Sequence, residues 1–276
     1  MLLERLFHAE RPRLESRHSF SSMNLSVQPV SGSGLDIWRE RYRKETKGQI
    51  VHDSLHRREG WTVSHLLDSG GTGVGYGSMA VAGPWAGRPT IFEFYVRPES
   101  RTQAFALFET YLAASGARHF EVQTNDELLT IMLHAYGRDV VSEMIVFEDR
   151  LATRVSKEGG MMRRETTEEE DRVCIVRRHG GSRWRLETGA EVIATGGINF
   201  HYNPPFCDVY MEVAEGFRRQ GWGSYFVQEL KRVAYDLGQV PCARCNVGNV
   251  ASRRTLPRAG FAPCGHILLG SVAESK

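Results

Sequence analysis

The sequence predicts an α/β protein of the α+β, mixed-sheet kind, built as two tandem domains that each carry a central mixed sheet flanked by helices. Three observations predict it. Strand-like and helix-like runs alternate along the whole chain. Both halves read in one order: strands, helix, strand, helix, strand. Aligned at Val96 and Val213, "FYVRPESRTQAFALFETYLAASG" lies over "MEVAEGFRRQGWGSYFVQELKRVAYDLG", so the halves form a divergent repeat. A chain of 276 residues has room for two such domains.

Residues 1–22 carry charges throughout their apolar positions, which makes a poor secretory signal. They are expected to be a disordered extension or a misassigned start, because "MNLSVQPV" at Met23 reads as the first strand. The first domain, 23–150, continues with helices and then strands near 61–66, 74–81 and 90–96, punctuated by "DSGGTG" and "GPWAGRP". A helix over 102–115 presents Phe105, Phe108 and Leu112 on one face and stops at Gly116. The strand "RHFEVQT", the helix "DELLTIMLHAYG" and the strand "SEMIVFED" complete the unit.

Residues 151–165 show no periodicity and contain a Gly-Gly pair, so they are expected to be a linker. In the second domain, 166–276, Thr166 and Glu169 have capping-box spacing for a short helix. Strands are expected at "RVCIVRR", "RWRLET", "EVIATGGINFHY" and "CDVYMEV", with "ETGAE" as a hairpin turn. The loop and helix "GFRRQGWGSYFVQELKRVAYDLG" follow, then the strand "CARCNV", the helix "NVASRRTLPRAG" and the strand "HILLG".

Composition narrows the function classes. Hydrophobic residues make up 41% and charged residues 25%, as in soluble globular proteins. A formal charge of +2 argues against a nucleic-acid partner, and Arg253, Arg254 and Arg258 read as a solvated helix face near a ligand phosphate. No apolar run approaches the roughly 18 residues of a membrane span. Five irregularly spaced cysteines disfavour a disulfide framework and fit a reducing cytoplasm. Cys242 and Cys245 form a CxxC, but only Cys264 and His266 follow, so no metal site is expected.

The chemistry concentrates in "RRQGWG" and the helix after it. The first N–H groups of a helix lack internal partners, and the helix dipole places partial positive charge there. Gly221 and Gly223 remove Cβ atoms so that a phosphate can approach the backbone, and Arg218 and Arg219 add charge and donors. Phe226, Leu230, Val233 and Leu237 form the core stripe of this helix, and Gly238 caps it. The result is a pyrophosphate cradle at a strand–loop–helix junction. The first copy has Pro98, Ser100 and Thr102 instead of the glycines, so one cradle per chain is expected.

"VAEGFRRQGWGS" resembles motif A of the GNAT superfamily of acetyl-CoA-dependent N-acetyltransferases, with Arg218, Gly221 and Gly223 filling [R/Q]-x-x-G-x-[G/A]. "DVYMEV" resembles the fourth GNAT strand, where the sheet splays, and "NVASRRTLPRAGF" resembles motif B, with Asn249, Ser252 and Gly260-Phe261 at the matching places. The motifs cover 208–261, and the wider likeness covers about 171–271. The resemblance implies acyl-CoA N-acyltransferase domains with splayed sheets, acetyl-CoA as co-substrate and no metal. It also implies a cofactor set of Met211, Val213, Arg218, Arg219, Gln220, Gly221, Trp222, Gly223, Ser224, Asn249 and Ser252. Asn249 would meet the pantetheine arm and the Val213 N–H the thioester carbonyl. The first copy is a degenerate GNAT-like domain, and it is expected to supply a wall of the acceptor site that the second copy lacks.

In this family a neutral amine attacks the thioester directly, which calls for a proton acceptor near the strand. Glu212, Asp208 and His201 are the candidates, and strand periodicity puts Asp208, Tyr210 and Glu212 opposite Met211 and Val213. "HYNPP" reads as a rigid turn lining the acceptor cleft. One departure stands out: Leu256 occupies the place of the motif B tyrosine that serves as general acid. Two functions follow. One is acetyl transfer to a primary amine of a small molecule or protein; the other is a catalytically silent acyl-CoA sensor or scaffold. Either is expected to act as a monomer or homodimer.

Overall fold

The computed structural model describes residues 24–31, 33–46, 48–49 and 53–273, so the expected extension at 1–22 lies outside the described residues. The first half runs β1 (Leu25–Val30), α1 (Ser33–Thr46), α2 (Asp53–His56), β2 (Thr62–Ser69), β3 (Thr72–Ala80) and β4 (Thr90–Val96). It then runs α3 (Ala104–Ser115), β5 (His119–Gln123), α4 (Glu127–Tyr136) and β6 (Gly137–Asp149). The second half runs β7 (Met161–Arg164), α5 (Glu168–Arg177), β8 (Gly181–Thr188), β9 (Glu191–Asn199) and β10 (Phe206–Val213). It ends with α6 (Trp222–Asp236), β11 (Val240–Asn246), α7 (Val250–Arg258) and β12 (Phe261–Val272).

The two expected sheets are one. Twelve strands lie in the order β1-β2-β3-β4-β5-β12-β6-β11-β10-β9-β8-β7. The final strand of each half has crossed over: β12 pairs with β5 from Ile267↔Gln123 to Ser271↔His119, and β6 pairs with β11 from Cys242↔Glu148 to Asn246↔Met144. The two exchanged strands also pair with each other, from Phe261↔Asp149 to Val272↔Gly137. Strand periodicity states which face of a strand is buried and says nothing about its neighbour, so the sequence could not reveal this exchange.

Each half splays at one parallel pair. β4 meets β5 only at Thr90↔His119 and Ile91↔Phe120. β10 meets β11 only from Phe206↔Val240 to Asp208↔Cys242, so the rest of β10 has a free edge on that side. One apolar core gathers Phe94, Leu107, Phe108, Tyr111 and Phe120 under α3 and α4. The other gathers Leu186, Ile193, Val209, Phe226, Leu230 and Leu256 under α6 and α7.

Several elements differ from expectation. Phe105 is exposed, and α3 buries Ala104, Leu107, Phe108 and Tyr111 instead, because a six-residue 3₁₀ turn at Pro98–Gln103 resets the phase of the helix. "RVCIVRR" is part of α5, not a strand; its cap shifts by one residue, to a reciprocal Thr167–Glu170 capping box. The segment 151–165 is pinned along α6: the Val155 N–H donates to Gln228 Oε1 at 2.7 Å, and residues 161–164 form the edge strand. Buried Lys231 ties the segment down further, donating to the carbonyls of Leu151 (2.8 Å) and Ala259 (2.7 Å) beside Asp149 (2.6 Å).

In the first half, α1 and α2 cover the Tyr76 and Tyr95 face of the sheet. In the second half, α5 packs on the α6 side, with Cys174 and Ile175 against Ile198 and Cys207. The opposite face there carries no helix among the described residues. Register places Glu212, Thr195, Arg185 and Arg163 in one row across it. The first half reaches this side at its edge: Asn203 Nδ2 donates to the Gly48 carbonyl at 3.1 Å, and the Ser54 N–H donates to the His201 carbonyl at 3.2 Å.

Candidate active site

The free edge of β10 has a definite polarity. Ala214 N–H donates to the Ile193 carbonyl on β9, so alternation turns the backbone groups of Met211 and Val213 away from β9 and into the splay. Glu212 and Tyr210 point to the bare face, as expected, while Met211 and Val213 pack with the second core. Between β10, α6 and α7 lies a cleft of about 610 Å³.

The mouth of α6 forms one wall. Gly221 is its N-cap at φ 87°, a left-handed conformation that disfavours side chains, and no side chain caps the helix. The first helical bond runs from Tyr225 N–H to the Gly221 carbonyl, so the N–H groups before it point outward. A Cβ on Gly223 would lie 3.2 Å from Met211 Cε, 3.3 Å from Thr255 Cγ2 and 3.4 Å from Val213 Cγ2. The glycine therefore keeps open a channel that any side chain would narrow. An extended chain ending in a pyrophosphate fits this geometry: bare donors at a helix N-terminus, flanking cations and a slot beside a free strand edge.

Most of the expected cofactor residues meet here. Met211, Val213, Arg218, Arg219, Gly221, Gly223, Ser224, Asn249 and Ser252 all line the cleft. Gln220 and Trp222 do not: the Gln220 amide donates to the Gly216 carbonyl at 2.9 Å, and the Trp222 ring is buried in the core. Asn249 Oδ1 accepts the Ser252 N–H at 3.0 Å as the cap of α7, which leaves its Nδ2 donor for a ligand. Arg218 braces the loop, with Nε donating to the Val213 carbonyl at 2.9 Å and Nη2 3.6 Å from Glu212.

Sequence reasoning missed Thr255, Phe217 and Glu215, which also line the cleft, and left Arg258 outside the cofactor set. It missed Lys157 entirely. That residue lies in the supposed linker, donates its ammonium proton to the Gln220 carbonyl and sits 5.2 Å from the Trp222 ring centroid. No local pattern marks it, because it reaches the loop across 63 residues of chain.

The three candidate proton acceptors separate. Glu212 lines the cleft with 79% of its side chain exposed. Asp208 lies below the splay, buried, with Oδ2 3.3 Å from His201 Nε2 and 3.4 Å from Arg244 Nε. Neither it nor His201 lines the cleft. Leu256 faces the core, whereas neighbouring Thr255 faces the cleft.

The first half has a counterpart cleft of about 300 Å³ in which Tyr42, Glu45, Arg101, Asn125 and Asp126 are already engaged with other groups of the protein. Arg101, aligned with Arg218, is paired with Glu45. Glu93 is fully buried; burial alone would raise its pKa, but Arg39 and His56 hold its carboxyl well below the usual range. Asp126 caps α4 and accepts the Tyr42 hydroxyl at 2.5 Å; burial, above all, pushes its pKa from 3.8 to about 6. The fold thus favours the protonated carboxyl. Its contribution is complete below pH 3.8 and is lost as pH rises through about 6, a difference of about 3 kcal/mol. Asp126→Asn keeps an acceptor for the cap, so it is expected to melt higher than the parent at pH 7.5 and nearly alike at pH 4. Equal melting differences at both values would remove Asp126 from the pH dependence.

Comparison with known proteins agrees with this geometry. Residues 147–261 match the model of the acetyltransferase (GNAT) family. Among solved structures, an acetyltransferase of the GNAT family from Colwellia psychrerythraea aligns with a TM-score of 0.65 and 14% identity, over 90% of this chain and 100% of that one. A tandem GNAT protein from the clavulanic acid biosynthesis pathway aligns at 0.60 and 12% identity, over 91% and 100%. A GCN5-related N-acetyltransferase from Sphaerobacter thermophilus aligns at 0.56 and 13%, over 90% and 95%. No curated protein matches the sequence. No helix among the described residues is long and apolar enough to cross a membrane, and no metal-holding group of His, Cys, Asp and Glu occurs among them. Residues 147–261 thus match the model of the GNAT acetyltransferase family, and the chain shares its fold with a tandem GNAT protein.

Proposed function

We propose that the protein is an acetyl-CoA-dependent N-acetyltransferase acting on a primary amine, with the second half as its active half. The observation that carries this reading is the uncapped, glycine-lined mouth of α6 opening beside the free edge of β10. Bound acetyl-CoA would supply the acyl group as an activated thioester. Arg218, Arg219, Lys157 and the open N–H groups of α6 would hold the pyrophosphate, and Asn249 Nδ2 the pantetheine arm. The N–H of Val213 or Met211, turned into the splay, would donate to the thioester carbonyl.

The acceptor would approach from the face opposite α6, with Gly48 and Ser54 of the first half as a wall beside His201 and Asn203. Glu212 is the candidate proton acceptor because it alone among the three lines the cleft. The His201–Asp208 pair, braced by Arg244, would serve to position this wall. The buried place of Leu256 favours a second reading, acyl-CoA binding without transfer, since the hydroxyls that α7 offers the cleft, those of Ser252 and Thr255, are weak acids.

Release of free CoA in the presence of a panel of primary amines separates the two. Release that depends on one amine supports transfer, and tight acetyl-CoA binding with silence across the panel supports the sensor. Given such an amine, Glu212→Gln should lower kcat by about tenfold to a hundredfold while acetyl-CoA affinity stays within about twofold. Identical pH–rate profiles for the two proteins would exclude Glu212 as the base.

A further inference from the structure

A second groove, of about 560 Å³, opens where the two halves meet, away from the cleft of α6. Ser54, Arg57, Arg58 and Trp61 line it from the first half; Arg177 and His179 line it from the second. No acidic residue is among these six. Asp53, at the root of α2, is already shared by Arg39 at 2.8 Å, Arg43 at 3.0 Å and Arg57 at 3.6 Å. Among the described residues, neither Arg58 nor Arg177 has a carboxylate partner.

More positive charge stands behind the lining. Arg178 is buried at the end of α5, and its donors go to neutral oxygens: the carbonyls of Tyr202 and Phe206 and Oε1 of Gln239. Asp53 lends it a favourable field, but that carboxylate is already shared by Arg39, Arg43 and Arg57, so positive charge stays in excess behind the groove. Two of the groove side chains, Arg58 and His179, are also held in place. The Arg58 guanidinium lies 4.3 Å from the Trp61 ring centroid and donates from Nη2 to His179 Nδ1 at 2.9 Å. That bond fixes the tautomer of the neutral ring, so His179 Nε2 carries its proton and is free to donate.

We propose that this groove is an oxyanion-binding site for a small molecule bearing a phosphate or carboxylate group. Arg58, Arg177 and His179 grip the anion from both halves, and Arg57 adds field. Planar donors facing one cavity, two of them held in place before binding, suit recognition of such groups. The volume suits a metabolite. Because its ligands come from both halves, occupancy stiffens their junction at the Ser54–His201 backbone bond.

The test must exclude the other anion seat, so it uses the Gly221→Glu protein, in which the mouth of α6 is filled. Pyrophosphate and succinate are each titrated by calorimetry at constant ionic strength. Arg177 is exposed and makes no hydrogen bond or ion pair among the described residues, so Arg177→Ala keeps the fold, and a thermal melt confirms it. The expected result is one binding event per chain, weakened about tenfold by Arg177→Ala and further by Arg58→Ala with Arg177→Ala. Binding of pyrophosphate alone assigns a phosphate ligand, and binding of succinate alone assigns a carboxylate. No heat with either anion, or affinity unchanged by Arg177→Ala, overturns the proposal. Neither outcome depends on whether the α6 cleft holds acetyl-CoA.

Discussion

Gly221→Glu is expected to abolish acetyl-CoA binding, with a loss of about a hundredfold or more. Three costs coincide at this position. Gly221 sits at φ 87°, where any side chain is strained. Its Cβ would meet Lys157 Cε at 3.2 Å, displacing the cation that folds over the loop. The new carboxylate would stand where uncapped N–H groups invite an anion, and would compete with the phosphates for them. Isothermal calorimetry with acetyl-CoA reads the effect directly. Affinity within twofold of the parent, in a protein of unchanged melting temperature, would sink the assignment of the cradle.

Cutting the chain between residues 150 and 151 is expected to leave neither half folded alone, even though residues 147–261 match a family model. A fragment 151–276 lacks β6, so β11 loses its Cys242–Asn246 partner and β12 loses both flanking strands. A sheet edge that long and half-apolar is left open to water and to other chains. A fragment 1–150 suffers likewise, because β12 is missing from beside β5. Each half expressed alone should therefore aggregate or melt without a cooperative transition, and co-expression should restore a 1:1 complex that does melt cooperatively. A soluble 151–276 fragment with a sharp transition and full acetyl-CoA affinity would refute the reading.

Much of this was written in local sequence. Glycines, cap residues and a helical stripe are short-range signals, so α6, its loop and the Asn249 cap could be read directly. The repeat, visible by aligning Val96 with Val213, exposed the lost glycines of the first copy. What escaped is long-range. Lys157 becomes part of the loop only because Gln228 and Lys231 pin its segment to α6. "RVCIVRR" is a short β-branched apolar run like a buried strand, yet the Thr167–Glu170 box starts a helix that carries it to Arg177. Phe105 was assigned to the core on spacing alone, and the 3₁₀ turn before α3 rotated it into solvent.

The crossing of β6 and β12 also sets a timetable for synthesis. When the ribosome has made the first half, β5 has no neighbour on one side, and the strand that will fill the gap, β12, is translated only after β7 to β11. The nascent first half must wait for residues 261–272, with its most distant contacts formed last. A premature stop before residue 261 would therefore damage both halves at once. The check that translation has passed residue 272 is built into the middle of the sheet, at the seam where β12 slides between β5 and β6.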